Sequence, residues 1–237
     1  MIQTSTIQKQ YIGSREFLDN LTYQGIKNPE VIRKESFNEF SMNTGDFDQD
    51  SLFPIELKVE RINNTDDMES LPEGTIIYGN CSLGESPKMD SVYSKYLDEE
   101  SKETVIESLS GFFSHMSFEN KELKIGESFT KTIPFTVPIS NILFKAKIIA
   151  TYTLISISDG TATFKISETL ESKKKYTTMH IKMIGKGDGT LKYDINNSYY
   201  KNYQLNMNVD ITIKQTEYTI KVHSIVNTEQ NIEIANK

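Results

Sequence analysis

From Ile142 to Ile157 (ILFKAKIIATYTLISI) the even positions are Ile142, Phe144, Ala146, Ile148, Ala150, Tyr152 and Leu154. All are apolar or aromatic, while the odd positions mix Lys145, Lys147, Thr151 and Thr153 with Leu and Ile. Alternate residues of an extended chain point to opposite faces, so this pattern predicts a long strand with one side hidden from water. Ser158-Asp159-Gly160 follows, then TATFKISETL with Ala162, Phe164, Ile166 and Leu170 in the same parity. The pair reads as a hairpin. A two-residue Asp-Gly loop would set Ile155 against Phe164 and bring unlike faces together. A three-residue loop with Gly160 in a left-handed bulge sets Leu154 against Phe164 and Tyr152 against Ile166. Register follows the buried face, so we expect the longer loop.

The run Tyr203 to Ile213 (YQLNMNVDITI) alternates most cleanly. Tyr203, Leu205, Met207, Val209, Ile211 and Ile213 fall on one face, with Gln204, Asn206, Asn208, Asp210 and Thr212 on the other. A sheet with one wet face favours antiparallel pairing. Tyr218 to Val226 alternates again. Phe129, Ile133, Phe135, Val137 and Ile139 alternate with Pro134 and Pro138 on the opposite face, which predicts an edge strand. The first half is less regular. Ile55, Leu57 and Val59 read as a strand, as do Glu30 to Phe40 and Thr75 to Asn80. Residues 63–74 and 84–90 read as loops.

One helix is predicted, Asp98 to Met116. Val105, Ile106, Leu109, Phe112, Phe113 and Met116 recur at spacings of three and four. Asp98 is placed to cap it, with Glu99 and Glu100 near the positive end of its dipole. A lone amphipathic helix among strands is a natural cover for an apolar sheet face. The expected architecture is mainly β: a strongly curved antiparallel sheet or open barrel, with the helix at about 98–116 on its apolar face. The expected divisions are an N-terminal β-rich half (1–97), the helix (98–116) and a C-terminal antiparallel meander (117–237). A shared core remains open.

Charge and composition narrow the functions. The net charge is −7 and the one basic run is Lys173-Lys174-Lys175, so nothing provides the clustered cations that nucleic acid requires. Cys81 is the only cysteine, which rules out an intramolecular disulfide and a thiolate cluster within one chain. No apolar run reaches the length of a membrane helix, and MIQTSTIQKQ has no signal-peptide core. Either the protein is cytoplasmic, or an export signal ahead of Met1 was removed and its place is the cell envelope or periplasm.

Three segments invite chemistry. GKGDGTLKYD holds Gly185, Gly187 and Gly189 at alternate positions. A phosphate loop needs a helix after the glycines, but Leu191, Tyr193 and Ile195 continue a period of two. A tight corner or bulged strand is the better reading. Asp46, Asp48 and Asp50 could begin a calcium loop, yet Ser51 stands where Gly is needed and Leu57 where a bidentate Glu belongs. A solvated acidic loop is the default there. His115, His180 and His223 share no metal-ligand spacing, and neither H-E-x-x-H nor G-x-S-x-G occurs. We therefore expect no catalytic residue, metal or cofactor. An enzyme would be revived by a cleft gathering His180 or His223 with two carboxylates.

The segments ELKIGESFTKTIPFTVPI, ISISDGTATFKI and GKGDGTLKYDI, over about Leu123 to Val226, together resemble a loosely defined family of uncharacterised bacterial cell-envelope proteins, usually lipoproteins. The resemblance implies export and lipid anchoring through an N-terminal cysteine, which this chain does not carry. By analogy of fold, a curved sheet with a helix against it is similar to the half-barrels of lipoprotein carriers. The leading expectation is a non-catalytic envelope protein that binds a lipid or other apolar ligand between sheet and helix, at Tyr152, Leu154, Phe164, Leu205, Met207, Phe112 and Phe113. The alternative is an interaction or scaffold module with a filled core. Partner protein, ligand identity and oligomeric state stay open.

Overall fold

The computed structural model describes the chain except residues 47, 49–51, 65–70, 83–86, 117–121, 140–141, 177–178 and 234–237. The side chains of 64, 108, 110–112, 114–116, 135–139, 142–143, 145 and 173 also lie outside the description. The protein is mainly antiparallel β-sheet. In chain order the elements are β1 (Ile2–Gly13), α1 (Arg15–Tyr23), β2 (Glu30–Thr44), β3 (Leu52–Asn64), β4 (Ile76–Ser82), β5 (Lys88–Tyr93), α2 (Glu99–Met116), β6 (Ser128–Ile139), β7 (Ile142–Ser158), β8 (Thr161–Lys175), β9 (Met179–Asp194), β10 (Tyr199–Gln215) and β11 (Tyr218–Asn231). The strand order is β5-β4-β3-β2-β1-β11-β10-β9-β8-β7-β6. Strand β6, with its two prolines, ends that order as predicted.

Two compact units divide the chain. The first comprises residues 1–2 and 36–124, the second 3–35 and 125–237. In the first, Ile55, Leu57 and Val59 of β3 pack with Ile77 and Cys81 of β4 and Met89 of β5. Val105, Ile106, Leu109 and Phe113 of α2 lie against this cluster, as the helical spacing requires. Asp98 caps α2 by accepting the Ser101 amide proton at 2.8 Å. The predicted helix is thus present, but it is one of two. Helix α1 is capped by the Ser14 hydroxyl oxygen, which accepts from the Phe17 amide at 3.2 Å. It buries Leu21 and stacks Phe17 on Tyr218 at 4.6 Å between ring centroids. At nine residues the helix is shorter than the roughly ten to twelve over which an apolar period separates a helix from a strand. Strand β5 likewise begins at Lys88, within a stretch that reads as a loop.

The second unit carries the long meander. Leu154 pairs with Phe164 and Tyr152 with Ile166, so the buried faces of β7 and β8 coincide as expected. The loop that achieves this is different. Asp159 (φ 49) and Gly160 (φ 70) form a two-residue turn with both residues left-handed, and Ser158 pairs with Thr161. This conformation matches the twist of the flanking strands. The extra residue sits inside β7: the register shifts between Leu154 and Ser156, so exposed Ile155 is bulged out. The apolar faces decide the register, and a bulge absorbs the mismatch that the tighter turn creates.

The glycine segment also departs from expectation. Gly185, Gly187 and Gly189 are neither a corner nor a bulge, since β9 runs without interruption from Met179 to Asp194. All three occupy the inward parity, with partners Leu170, Glu168 and Ile166 on β8 and Val209, Met207 and Leu205 on β10. A Cβ at Gly187 would meet the Asn206 carbonyl oxygen at 3.3 Å and Leu205 Cδ1 at 3.4 Å. At Gly189 it would run into the Gln204 carbonyl oxygen of the neighbouring backbone. Gly189 is therefore required by backbone approach, whereas at Gly187 the backbone and side-chain neighbours need give by only a few tenths of an ångström.

This distinction sets the first prediction. Gly189→Ala is expected to cost about 3 kcal/mol, because backbone must move. Gly187→Ala should shift stability by less than about 1 kcal/mol. Urea unfolding of both variants measures the difference; equal effects would contradict the assignment.

Candidate functional site

The second unit's inward face is built by alternation. Strand β7 contributes Phe144, Ala146, Ile148, Ala150, Tyr152 and Leu154, all buried. Strand β8 contributes Ala162, Phe164, Ile166, Glu168 and Leu170. One member of that row is not apolar. Glu168 is 2% exposed, and its neighbours along the strand in the same parity are Ile166 and Leu170. Across the sheet it stands opposite Ala150 on β7 and Gly187 on β9, two of the smallest side chains available. The sequence showed this residue in the inward parity at position 168, inside TATFKISETL, yet the strand reading passed over it. A charged residue at an even position of an apolar row was the available signal.

One oxygen of this carboxyl is left without a partner: Oε1 is buried and has no hydrogen bond among the described residues. Burial pushes the Glu168 carboxyl up to about 7, because a low-dielectric surrounding penalises the charged form. Tyr152 and Tyr203 are raised too, by burial first and then by the Glu168 charge. Tyr200 is raised by burial and then by Tyr152. These three tyrosines and Glu168 form one electrostatically linked group on β7, β8 and β10. Lys131 on β6 shares the row, since it pairs with Ala150, which pairs with Glu168. The Glu168 shift comes from burial.

The glycines shape the space beside the carboxyl. With no side chains at 185, 187 and 189, the inward face of β9 forms a floor one strand wide, about 4.8 Å. Leu170, Glu168 and Ile166 border it on β8, and Val209, Met207 and Leu205 on β10. Aromatic rings close one end of this region. Phe129 stacks on Tyr152 at 5.1 Å and meets Phe164 edge-on at 6.2 Å, while Tyr193 and Tyr200 meet edge-on at 5.8 Å.

The expected ligand-binding residues fall into two groups. Tyr152, Leu154 and Phe164 are buried and Leu205 and Met207 half-buried, all in the second unit. Phe113 packs on the first unit's cluster, and the Phe112 side chain lies outside the described residues. In the acidic run, the Asp48 carboxylate accepts from the Leu52 amide at 2.8 Å, and Asp46 is exposed. Asp50 lies outside the described residues. No group of three metal-ligating side chains occurs among the described residues. His223 Nδ1 and Asp210 Oδ1 are 2.9 Å apart on the polar face of β10 and β11, and His180 is exposed.

A family match spans residues 58–199, more than half of the chain. The chain belongs to DUF6263, a family of unknown function. The DUF6263 span runs from β3 to the first residue of β10, so it includes Glu168 and all three glycines and leaves out α1 and most of β10 and β11. No curated protein matches the chain. Among solved structures, one described as "Asymmetric conductivity of engineered proteins" is similar at 9% identity, with 97% of this chain and 99% of that chain covered and a TM-score of 0.30. A triple mutant of the Rhodopseudomonas blastica porin is similar at 8% identity, with the same coverage and a TM-score of 0.29. Likeness at these TM-scores supports no statement about this chain.

The buried carboxyl makes stability depend on pH. Its folded value, about 7, lies above the unfolded value of 4.5. The folded state therefore holds more protons between them, and stability is lost as pH rises through that window. From pH 5 to pH 8, Glu168 alone is expected to remove roughly 2 kcal/mol. Urea unfolding of the wild type and of Glu168→Gln at both pH values measures this. The wild type should fall more steeply by that amount, and parallel curves would contradict the buried carboxyl.

Proposed function

We propose that the second unit binds an apolar, chain-like ligand along the glycine floor of β9, with Glu168 meeting the ligand's polar end. The binding is non-catalytic. One observation carries this reading: a buried carboxyl oxygen without a partner, set in an otherwise apolar face beside a row that lacks side chains. An isolated buried polar group costs about 1–3 kcal/mol, and a charged one more. A structural role would be served as well by Leu or Met at position 168. A polar ligand group supplies the missing hydrogen bond and offsets that cost. The apolar border then provides affinity, at roughly 25 cal/mol for each Å² withdrawn from water.

Cell-envelope location belongs to the same proposal. It rests on the sequence resemblance, and fractionation of cells producing the full-length gene product tests it.

Binding itself is tested by filling the floor. The wild type is expected to bind decanol in calorimetric titration, and Gly187→Val to weaken it by tenfold or more while thermal unfolding stays cooperative. Native mass spectrometry of gently purified protein should show a bound small molecule in the wild type and less of it in the variant. A folded Gly187→Val protein that binds decanol as the wild type does would refute the site.

A further inference from the structure

The proposed site also specifies a head group, and this inference rests on the binding reading above. We propose that Glu168 receives the ammonium group of a linear alkyl amine, whose chain lies along Gly185 and Gly187. The argument is one of charge and hydrogen-bonding capacity. An ionised carboxylate only accepts hydrogen bonds, and its unpartnered Oε1 faces no described donor. An alcohol would donate one bond but leave the negative charge uncompensated in an apolar surround. A fatty-acid carboxylate would add a second negative charge and be repelled. An ammonium group supplies donors and the opposite charge together, which is the arrangement a buried charge requires.

The neighbouring side chains agree with this choice. Tyr152 and Tyr203 lie near enough for the Glu168 charge to act on them, and neither is a cation. In the inward rows of β7, β8, β9 and β10 the cation among the described residues is Lys174, exposed near the end of β8 opposite Ile181 and three inward positions from Glu168. Lys131 on β6 is two strands from Glu168. The chain is unbranched in this proposal because the floor is one strand wide, bounded by Leu170 and Ile166 on one side and Leu205 and Val209 on the other.

Calorimetric titration of the full chain with decylamine, decanol and decanoate, each below its critical micelle concentration, separates the possibilities. At pH 8 the wild type is expected to bind decylamine at least tenfold more tightly than decanol, with decanoate weakest. Glu168→Gln should lose that preference and bind decylamine and decanol alike. If Glu168→Gln does not fold, the wild-type ranking and its pH dependence decide instead. Protonation of Glu168 from pH 8 to pH 6 should weaken decylamine about tenfold and leave decanol unchanged. Among the groups facing the site, Tyr152, Tyr200 and Tyr203 are raised by burial and stay neutral over this range, and Lys131 and Lys174 are the cations nearest in the inward rows. Decanol binding without any preference for decylamine overturns the head-group assignment and leaves the chain-binding reading standing. Failure of all three probes to bind overturns both.

Discussion

The second unit depends on one constraint: each strand hides only one of its two faces, and neighbouring strands must present their hidden faces to the same side. A shift of one residue would turn every inward side chain outward. The hairpin at Asp159-Gly160 shows how strictly this holds. Its tight turn alone would put β7 and β8 out of step, and the bulge at Ile155 restores the match at Leu154 and Tyr152. The same in-register rows continue through β9 and β10, where Ile213 pairs with Ile181 and Ile211 with Met183. Local turn chemistry yields to the burial of apolar area, because many inward residues outweigh one strained or bulged position.

That constraint gives Glu168 its significance. Once Phe164, Ile166 and Leu170 are fixed inward, residue 168 has no choice of side. Its carboxyl is buried by geometry, opposite Ala150 and Gly187, and no described group pairs with Oε1. The glycine row follows from a second constraint. At Gly189 the β10 backbone lies too close for any side chain, and at Gly187 and Gly185 an added Cβ would first meet the β10 carbonyl oxygens of Asn206 at 3.3 Å and Asn208 at 3.2 Å. Together they place an unfilled polar valence beside a strip of bare backbone, a combination that packing alone does not require.

Much of this was legible in the sequence. Strands β6, β7, β8, β10 and β11, the edge position of β6, the buried register of β7 with β8 and the helix α2 follow from periods of two and of three to four, whereas β1 was not predicted. The exceptions have physical causes. Helix α1 spans only nine residues, too short a stretch for its apolar period to be told from other local patterns. The turn form was misjudged because sequence cannot say whether an extra residue is taken up in a loop or in a strand. The glycines looked like a corner because isolated glycines usually break strands, and only the positions of the β8 and β10 backbones reveal why they stay within one. Glu168 was visible as a residue, but its importance lies in what surrounds it.

The measurement that bears most directly on this account is the titration of the Glu168 side-chain carboxyl, followed by carbon NMR in the folded protein with Glu168→Gln used for assignment. Burial without a partner predicts a midpoint near 7. A midpoint near the ordinary 4.5 would mean that the carboxyl is solvated or paired, and the site built around it would not exist.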